Sequence, residues 1–183
     1  MNYKILVNKD NLYDKNNFSN IEFRKITNII GEEYLLERRT LKAFLSLKKD
    51  LEKDNIFIDI IGGYRTIKDQ EMIIDDYIKK YGEDYTNKYV APIKASEHHT
   101  GLCFDIGLII NNKLIYENDE LFTNEEIYKI IISILPNYGL ILRYPKGKEE
   151  ITGYNYEPWH YRYVGKSTAN IITDNNLTLE EYN

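Results

Sequence analysis

The stretch A-S-E-H-H-T-G-L-C-F-D-I-G-L-I-I, residues 95–110, decides how this chain folds. Its second half is an apolar run, which predicts a buried strand. The threonine-glycine pair in the middle is a natural bend that separates this strand from the residues before it. Alternation along the strand places Cys103 and Asp105 on one face, with Leu102, Phe104 and Ile106 on the other.

Two histidines, His98 and His99, stand side by side just before the bend. If residues 96–99 are extended, neighbouring side chains point to opposite faces, so only one histidine can enter a shared site. Asp105 is a carboxylate within an apolar strand, where a charge is costly unless it is paired or binds a metal. The local pattern does not distinguish the two histidines.

A second group of polar residues lies in N-Y-E-P-W-H-Y-R-Y-V, residues 155–164, where Glu157 and His160 are three residues apart. His160, one of the two earlier histidines and Asp105 would supply three zinc ligands, which leaves a fourth position for water, as in catalytic zinc sites. Glu157 could then take a proton from that water. The spacing therefore favours a zinc hydrolase hypothesis.

Simpler explanations are open for the same residues. A histidine is more often a polar surface residue or a satisfied core residue than a ligand. Asp105 can cap a turn, and Glu157, which precedes a proline, can be a solvated turn carboxylate. Cys103 is small and apolar, so packing is its expected role and thiolate ligation is the alternative. By spacing alone, the zinc hypothesis and these explanations are about even.

The composition restricts the classes of function. With 183 residues, 43% of them hydrophobic and 29% charged, we expect one domain, 1–183, with its own core. A net charge of −5 provides no basic surface for nucleic acid, so nucleic acid is not an expected partner. The single cysteine excludes an internal disulfide. The N-terminal residues offer no continuous apolar segment, so we expect no membrane segment and a cytoplasmic location. A mature protein from which a leader had been removed would show the same pattern.

Helical and strand-like segments alternate along the chain. The predicted helices cover about 33–53, 66–82 and 123–136, and the predicted strands cover 56–61, 102–110, 139–144 and 160–164. Thr66 with Asp69, and Thr123 with Glu126, resemble helix caps. This order predicts an α+β fold, with a small, mainly antiparallel sheet and helices packed against it.

Three separated motifs resemble one known family. Residues 96–105 are similar to the Ser-x-His-x-x-Gly-x-x-x-Asp signature of the VanY-type D-alanyl-D-alanine carboxypeptidases, zinc peptidases that share a fold with D-Ala-D-Ala dipeptidases and the hedgehog signalling domain. E-P-W-H at 157–160 resembles the family's Glu-x-x-His element, and G-Y-R-T at 63–66, with Gln70, resembles its Gly-Tyr-Arg loop. The resemblance covers about 56–164. It extends to the cytoplasmic VanXY group through two further stretches, N-Y-G-L-I-L-R-Y-P and the terminal L-T-L-E-E-Y. That group combines dipeptidase and carboxypeptidase activities in glycopeptide-resistant bacteria.

The resemblance implies a role for each motif residue. Glu157 would be the general base, and Arg65 would stabilise negative charge on the scissile carbonyl. Ser96 would help to hold the substrate, and Cys103 replaces the alanine that is usual in the family. The implied ligands of one zinc ion per chain are His98, Asp105 and His160, with His99 pointing away, and the implied pocket residues are Gln70 and Tyr64.

The function implied is a zinc D,D-carboxypeptidase acting on peptidoglycan precursor peptides that end in D-Ala-D-Ala, with a contribution to glycopeptide resistance. Members that cleave the free dipeptide have an acidic residue directly before Gly-Tyr-Arg, where it can hold the substrate's amino group. This chain has Gly62 there, which puts dipeptidase activity in doubt. The alternatives are an L,D-carboxypeptidase or endopeptidase of the same fold, and a non-catalytic zinc-containing binding module. The sequence does not predict the oligomeric state.

Overall fold

The computed structural model describes residues 2–183, except for the side chains of residues 118 and 119. Short 3₁₀ helices lie at Lys15–Phe18, Glu52–Asp54, Glu97–Thr100 and Leu135–Tyr138. Among the described residues, every helix is too short or too polar to cross a bilayer.

The strands are β1 (Phe23–Thr27), β2 (Glu33–Glu37), β3 (Ile58–Gly62), β4 (Cys103–Ile110), β5 (Lys113–Ile115), β6 (Leu140–Leu142) and β7 (His160–Tyr163). The α-helices are α1 (Arg38–Leu51), α2 (Ile67–Tyr81), α3 (Glu83–Tyr89), α4 (Asn118–Phe122), α5 (Glu125–Ile134), α6 (Glu149–Thr152), α7 (Lys166–Asp174) and α8 (Leu179–Tyr182).

Strand β4 is the centre of the main sheet. The sheet has the order β3-β4-β7-β6, and β5 also pairs with β4. Every pair in it is antiparallel. Strands β1 and β2 form a separate antiparallel pair. The predicted α+β class and mainly antiparallel sheet are confirmed.

Helix α1 covers one face of this sheet. Its apolar residues recur every three or four positions, which directs Phe44, Leu47 and Leu51 into the core. The rings of Phe44 and Phe104, a β4 residue, lie 5.2 Å apart edge to face. The other face of β4 is thereby left for polar side chains, among them Asp105.

The predicted helix over 33–53 is wrong in its first five residues. Residues 33–37 form β2 because they pair with β1 in register, Glu33 opposite Thr27 and Glu37 opposite Phe23. The Glu37 carboxylate then caps α1 by accepting hydrogen bonds from the backbone amides of Arg39 and Thr40. Sheet pairing therefore overrides the local helical pattern at this point.

The predicted cap of α2 is confirmed, and that of α5 is wrong. The Thr66 hydroxyl accepts from the Asp69 amide and the Asp69 carboxylate accepts from the Thr66 amide, which is a capping box. Helix α5 instead begins after Asn124 without a side-chain cap. The hydroxyl of Thr123 donates to the Glu120 carbonyl and so is used by the preceding turn.

Two leucines of α1 test the core against a matched control. Leu47 is fully buried, whereas Leu45 is 48% exposed. Leu47→Ala should lower the free energy of unfolding by about 2–5 kcal/mol, because it removes apolar contacts and leaves a cavity. Leu45→Ala should change it by about 0.5 kcal/mol or less. Equal effects in urea unfolding would show that α1 does not pack as described.

Candidate active site

A cleft of about 170 Å³ lies over the polar face of β4 and β7. Its position follows from the sheet, because Asp105 in β4 is the direct cross-strand partner of His160 in β7. The 3₁₀ helix before β4 and the loop after β3 close its sides. The lining includes most of the polar residues singled out from the sequence, namely Arg65, Ser96, His98, Asp105, Glu157 and His160, beside aromatic residues such as Tyr77 and Trp159.

The adjacent histidines adopt a conformation that the sequence analysis did not predict. Residues 97–100 form a 3₁₀ helix rather than an extended segment, and the Thr100 hydroxyl donates to the Glu97 carbonyl at 2.6 Å. Nδ1 of His98 lies 2.7 Å from the Gly63 carbonyl oxygen, and Nδ1 of His99 lies 2.8 Å from that of Arg65. The ring of His98 faces the cleft. The ring of His99 lies 5.4 Å from that of Tyr13, away from the cleft lining.

Three side chains converge in the floor of the cleft. Nε2 of His98 lies 3.2 Å from Asp105 Oδ2, and Nδ1 of His160 lies 2.8 Å from Asp105 Oδ1. Zinc bonds of about 2.0–2.2 Å at tetrahedral angles place neighbouring ligand atoms about 3.3 Å apart, so this spacing fits a zinc ion. The buried Asp105 Oδ1 accepts no hydrogen bond from the described residues, although Nδ1 of His160 is close. A cation bound between Asp105 Oδ1 and His160 Nδ1 would give each of these two atoms a partner.

The electrostatics of this group also attract positive charge. Burial and Arg65 lower the pKa of His98, yet its interactions with Cys103 and Asp105 raise it to about 9. The pKa of His160 is likewise raised, against burial, by Cys103 and Asp105. Burial raises the pKa of Asp105, but the two histidines hold it well below its usual range. A metal ion competes with protons for such a centre.

Cys103 gives the site a second possible set of ligands. Ligand atoms of His98, Cys103 and His160 all lie within 4.8 Å of one another. The thiol is fully buried, as its expected packing role requires. Burial raises its pKa, but the two histidines lower it below its usual value. Asp105 also contacts both histidine nitrogens, through Oδ2 at 3.2 Å and through Oδ1 at 2.8 Å, so either Cys103 or Asp105 can complete a set with the two histidines.

Glu157 and Arg65 flank the three converging side chains. The Glu157 carboxylate is buried, with Oε2 3.8 Å from His160 Nδ1. Burial, and to a lesser degree the charge of Asp105, raise its pKa to about 8, although His160 opposes the shift. Nη2 of Arg65 donates to Asp105 Oδ2 at 2.9 Å. A carboxyl group with a pKa near neutrality can exchange protons during turnover.

A sequence profile of the VanY D-alanyl-D-alanine carboxypeptidases matches residues 33–166. The chain belongs to the VanY family.

Two curated relatives illustrate the family. VanXYC of Enterococcus gallinarum, a bifunctional D-Ala-D-Ala dipeptidase and carboxypeptidase, is 43% identical over 136 residues, which cover 72% of this chain and 67% of that protein. A D-alanyl-D-alanine carboxypeptidase of Enterococcus faecalis (strain V583) is 34% identical over a gapped alignment of 191 positions, which covers 97% of this chain and 64% of that protein. The chain thus spans about two thirds of the length of these relatives.

Solved structures of VanY-family proteins have the same fold. A vancomycin-resistance D,D-pentapeptidase VanY variant in complex with Zn(II) gives a TM-score of 0.81 at 29% identity, covering 100% of this chain and 99% of that chain. VanYB in complex with D-alanine-D-alanine gives 0.80 at 30%, covering 98% and 96%. LdcB, an LD-carboxypeptidase, gives 0.80 at 35%, covering 97% and 83%.

The other residues implied by the family resemblance differ in whether they line the cleft. Ser96 is buried and lines the cleft. Gln70 does not line it, but its amide donates at 2.8 Å to the carbonyl of Ala91, a lining residue, and so supports the wall from behind. Tyr64 is also absent from the lining, because its ring packs on Phe23 at 4.5 Å. Neither residue lines the cleft in this structure, and their predicted part in substrate binding stays a prediction.

Gly62 is required by the packing of β3 against β4, which the sequence analysis did not predict. It is the cross-strand neighbour of Asp105, and a Cβ atom there would overlap Asp105 Oδ2 and lie 3.0 Å from Asp105 Cγ. Glycine is needed for this close approach, and it leaves no acidic side chain at this position to hold a substrate amino group. Asp59, the acidic residue of β3, pairs with Lys48 at 2.9 Å and does not line the cleft.

Sequence reasoning missed a buried group of charged residues beneath the cleft. Glu97, Arg143 and Arg162 are each 1% exposed or less. Burial raises the pKa of Glu97, but the two arginines hold it well below its usual range. A signal was available, because both arginines lie in segments predicted to be strands of the sheet, where a charge requires a partner.

Gly62→Ala tests the close approach of β3 to the candidate ligand. The added methyl group should displace the Asp105 carboxylate, so zinc affinity should fall and kcat/KM should drop by about tenfold to a hundredfold. Zinc titration and peptide hydrolysis measure the effect, and thermal unfolding of the metal-free protein monitors the fold. Unchanged affinity and kcat/KM would show that Gly62 is not required for this contact.

Proposed function

We propose that this chain is a zinc-dependent D,D-carboxypeptidase that removes the terminal D-Ala from peptidoglycan precursor peptides ending in D-Ala-D-Ala, with a contribution to vancomycin resistance. The observation that carries the proposal is the convergence of three candidate ligands, a buried carboxylate with a raised pKa and an arginine in one cleft. Family membership and the relatives that act on or bind D-Ala-D-Ala support the choice of substrate.

The residues that would hold zinc are His98, through Nε2, Asp105, and His160, through Nδ1. Each histidine has its other ring nitrogen on a protein acceptor, the Gly63 carbonyl for His98 and the Glu97 carboxylate for His160. Such partners fix the tautomer and leave the facing nitrogen free to bind a metal. When bound, zinc would polarise the scissile carbonyl and make water easier to deprotonate.

Glu157 and Arg65 would carry out the proton transfer and the charge stabilisation. The Glu157 carboxylate would accept a proton from the attacking water and pass one to the departing amino group of D-Ala. Its raised pKa suits both steps, because the group is neither a very weak base nor a very weak acid near neutral pH. One donor of Arg65 is used by Asp105, and the other guanidinium donors make no hydrogen bond to the described side chains, so they can stabilise negative charge on the carbonyl oxygen.

A purely structural zinc site does not account for Glu157. Burial of a carboxyl group away from a matching cation is unfavourable, as its raised pKa shows. A site that only holds metal gains nothing from such a group, whereas a hydrolase requires it. This observation favours the enzyme over the non-catalytic binding module.

The metal assignment can be tested with the adjacent histidines as a matched pair. Metal analysis of the purified protein should give about one zinc per chain. His98→Ala and His160→Ala should abolish tight binding, because each removes a ligand. His99→Ala should retain the zinc, because its ring lies outside the cleft. Loss of zinc in the His99 variant but not in the His98 variant would reverse the assignment.

Glu157→Gln tests the general base. The amide keeps the size and polarity of the side chain but cannot accept the proton, so zinc should remain bound while kcat falls by about a hundredfold or more. Glu150→Gln, at an exposed position of α6, should leave kcat unchanged and is the control. Turnover near the wild-type rate in Glu157→Gln would require a different base.

A set of peptides tests the reaction and its stereochemistry. The zinc-loaded protein should release D-Ala from a pentapeptide ending in D-Ala-D-Ala. It should not cleave the tetrapeptide that remains after this release, because the terminal bond of the tetrapeptide joins an L-residue to D-Ala. The free dipeptide should give a lower kcat/KM, because it brings a charged amine that needs a partner on entering the cleft. Release from the tetrapeptide but not from the pentapeptide would establish the L,D-carboxypeptidase alternative.

A further inference from the structure

Beneath the candidate metal site, one carboxylate joins a candidate ligand to two buried arginines. Oε1 of Glu97 accepts from Arg143 Nε at 2.7 Å and from Arg162 Nη1 at 3.0 Å. Oε2 of the same carboxylate faces Nε2 of His160 at 3.4 Å. The two oxygens are thus used separately, one for the arginines and one for the histidine.

Stability alone is a weak reason for this arrangement. Three fully buried charged groups lose their hydration, and packed apolar residues often replace such groups without loss of stability. The contact with His160 supplies another reason, because the ring nitrogen that faces away from Asp105 needs an acceptor to fix the tautomer. A carboxylate behind a metal-bound histidine orients the ring and increases its basicity.

The arginines are in turn held by both ends of the described chain. Arg143 makes a two-point contact with Glu180 of α8, Nη2 to Oε1 at 2.6 Å and Nη1 to Oε2 at 2.9 Å. Nη2 of Arg162 donates to the carbonyl oxygens of Tyr3 and Ile5 at 3.2 and 2.7 Å. These partners lie outside residues 33–166, the part that matches the family profile.

Asn8 connects the two ends to each other. Its amide donates to Glu180 Oε1 at 3.1 Å, the oxygen that also accepts from Arg143. Both Arg143 and Arg162 have fully buried side chains, whereas the Glu180 side chain is 12% exposed. The chain of contacts therefore runs from the surface at α8 through Arg143 and Glu97 to His160.

We propose that Glu97 is a positioning residue for His160 and that helix α8, through Glu180 and Arg143, holds Glu97 in place for tight zinc binding. The inference rests on the proposed zinc site and extends it to a terminal helix none of whose residues lines the cleft. It assigns to α8 a function in metal affinity, apart from any contribution to folding.

Three glutamine substitutions of equal size test the proposal. Glu97→Gln removes the charge behind His160, and Glu180→Gln weakens the outer contact with Arg143. Glu181→Gln is the matched control, because it is adjacent in α8, pairs with Lys148 rather than an arginine, and glutamine preserves its capping box. For each protein, zinc affinity is measured by competition with a chromophoric chelator. The visible spectrum of the cobalt(II)-substituted site and thermal unfolding of the metal-free protein are recorded as well.

Glu97→Gln should raise the zinc Kd by about tenfold to a hundredfold and shift the cobalt bands, since the ligand field of His160 changes. Glu180→Gln should raise the Kd in the same direction by a smaller factor, and Glu181→Gln should leave both unchanged. A merely structural role would lower the unfolding temperature of the metal-free variants while zinc Kd and cobalt spectrum stay those of the wild type. That result in Glu97→Gln or in Glu180→Gln overturns the proposal.

The design separates this inference from the proposed function. Failure of the wild-type protein to bind zinc would contradict the zinc site itself, before any variant is compared. If Glu97→Gln does not fold, Glu180→Gln decides, because Glu180 is at the edge of the cluster. An increased Kd then supports the link from α8 to the metal site, and a wild-type Kd and spectrum overturn it.

Discussion

The antiparallel pairing of β4 with β7 is the constraint on which the candidate site depends. It sets Asp105 opposite His160, and the short segment before β4 then delivers His98 to the same carboxylate. Helix α1 fills the other face of the sheet, so these polar groups have only the cleft side available. Packing on one face and chemistry on the other are two results of the same alternation along β4.

The two carboxylates of the cleft differ because their surroundings differ. Both are buried, and burial raises the pKa of each. Asp105 lies between two histidines and beside Arg65, so it remains an anion suited to a ligand. Glu157 has His160 at the longer distance of 3.8 Å, so burial dominates and leaves it suited to proton transfer. The groups that surround each carboxylate, and their distance from it, thus separate a ligand from a base.

Much of the site could be predicted from the sequence, and the failures have physical reasons. The grouping of Asp105 with His160 came from motifs and the capping box at Thr66 from a local pattern, and the structure shows the two side chains in contact and the cap. The predicted start of α1 was wrong because a local pattern does not show that residues 33–37 pair with another strand. The 3₁₀ helix at 97–100 depends on a side-chain hydrogen bond from Thr100, and the need for glycine at position 62 depends on a neighbour 43 positions away. Neither a side-chain hydrogen bond nor a contact between distant residues can be read from periodicity.

The two neighbouring histidines hold successive parts of one loop, since their Nδ1 atoms bind the carbonyl groups of Gly63 and Arg65. The backbone that carries the Arg65 guanidinium is therefore fixed by rings that belong to the folded interior. Its conformational entropy is lost when the protein folds and not when a peptide arrives. The contacts of a bound peptide are then available to strain its scissile amide rather than to organise the enzyme, which favours a high rate over tight ground-state binding.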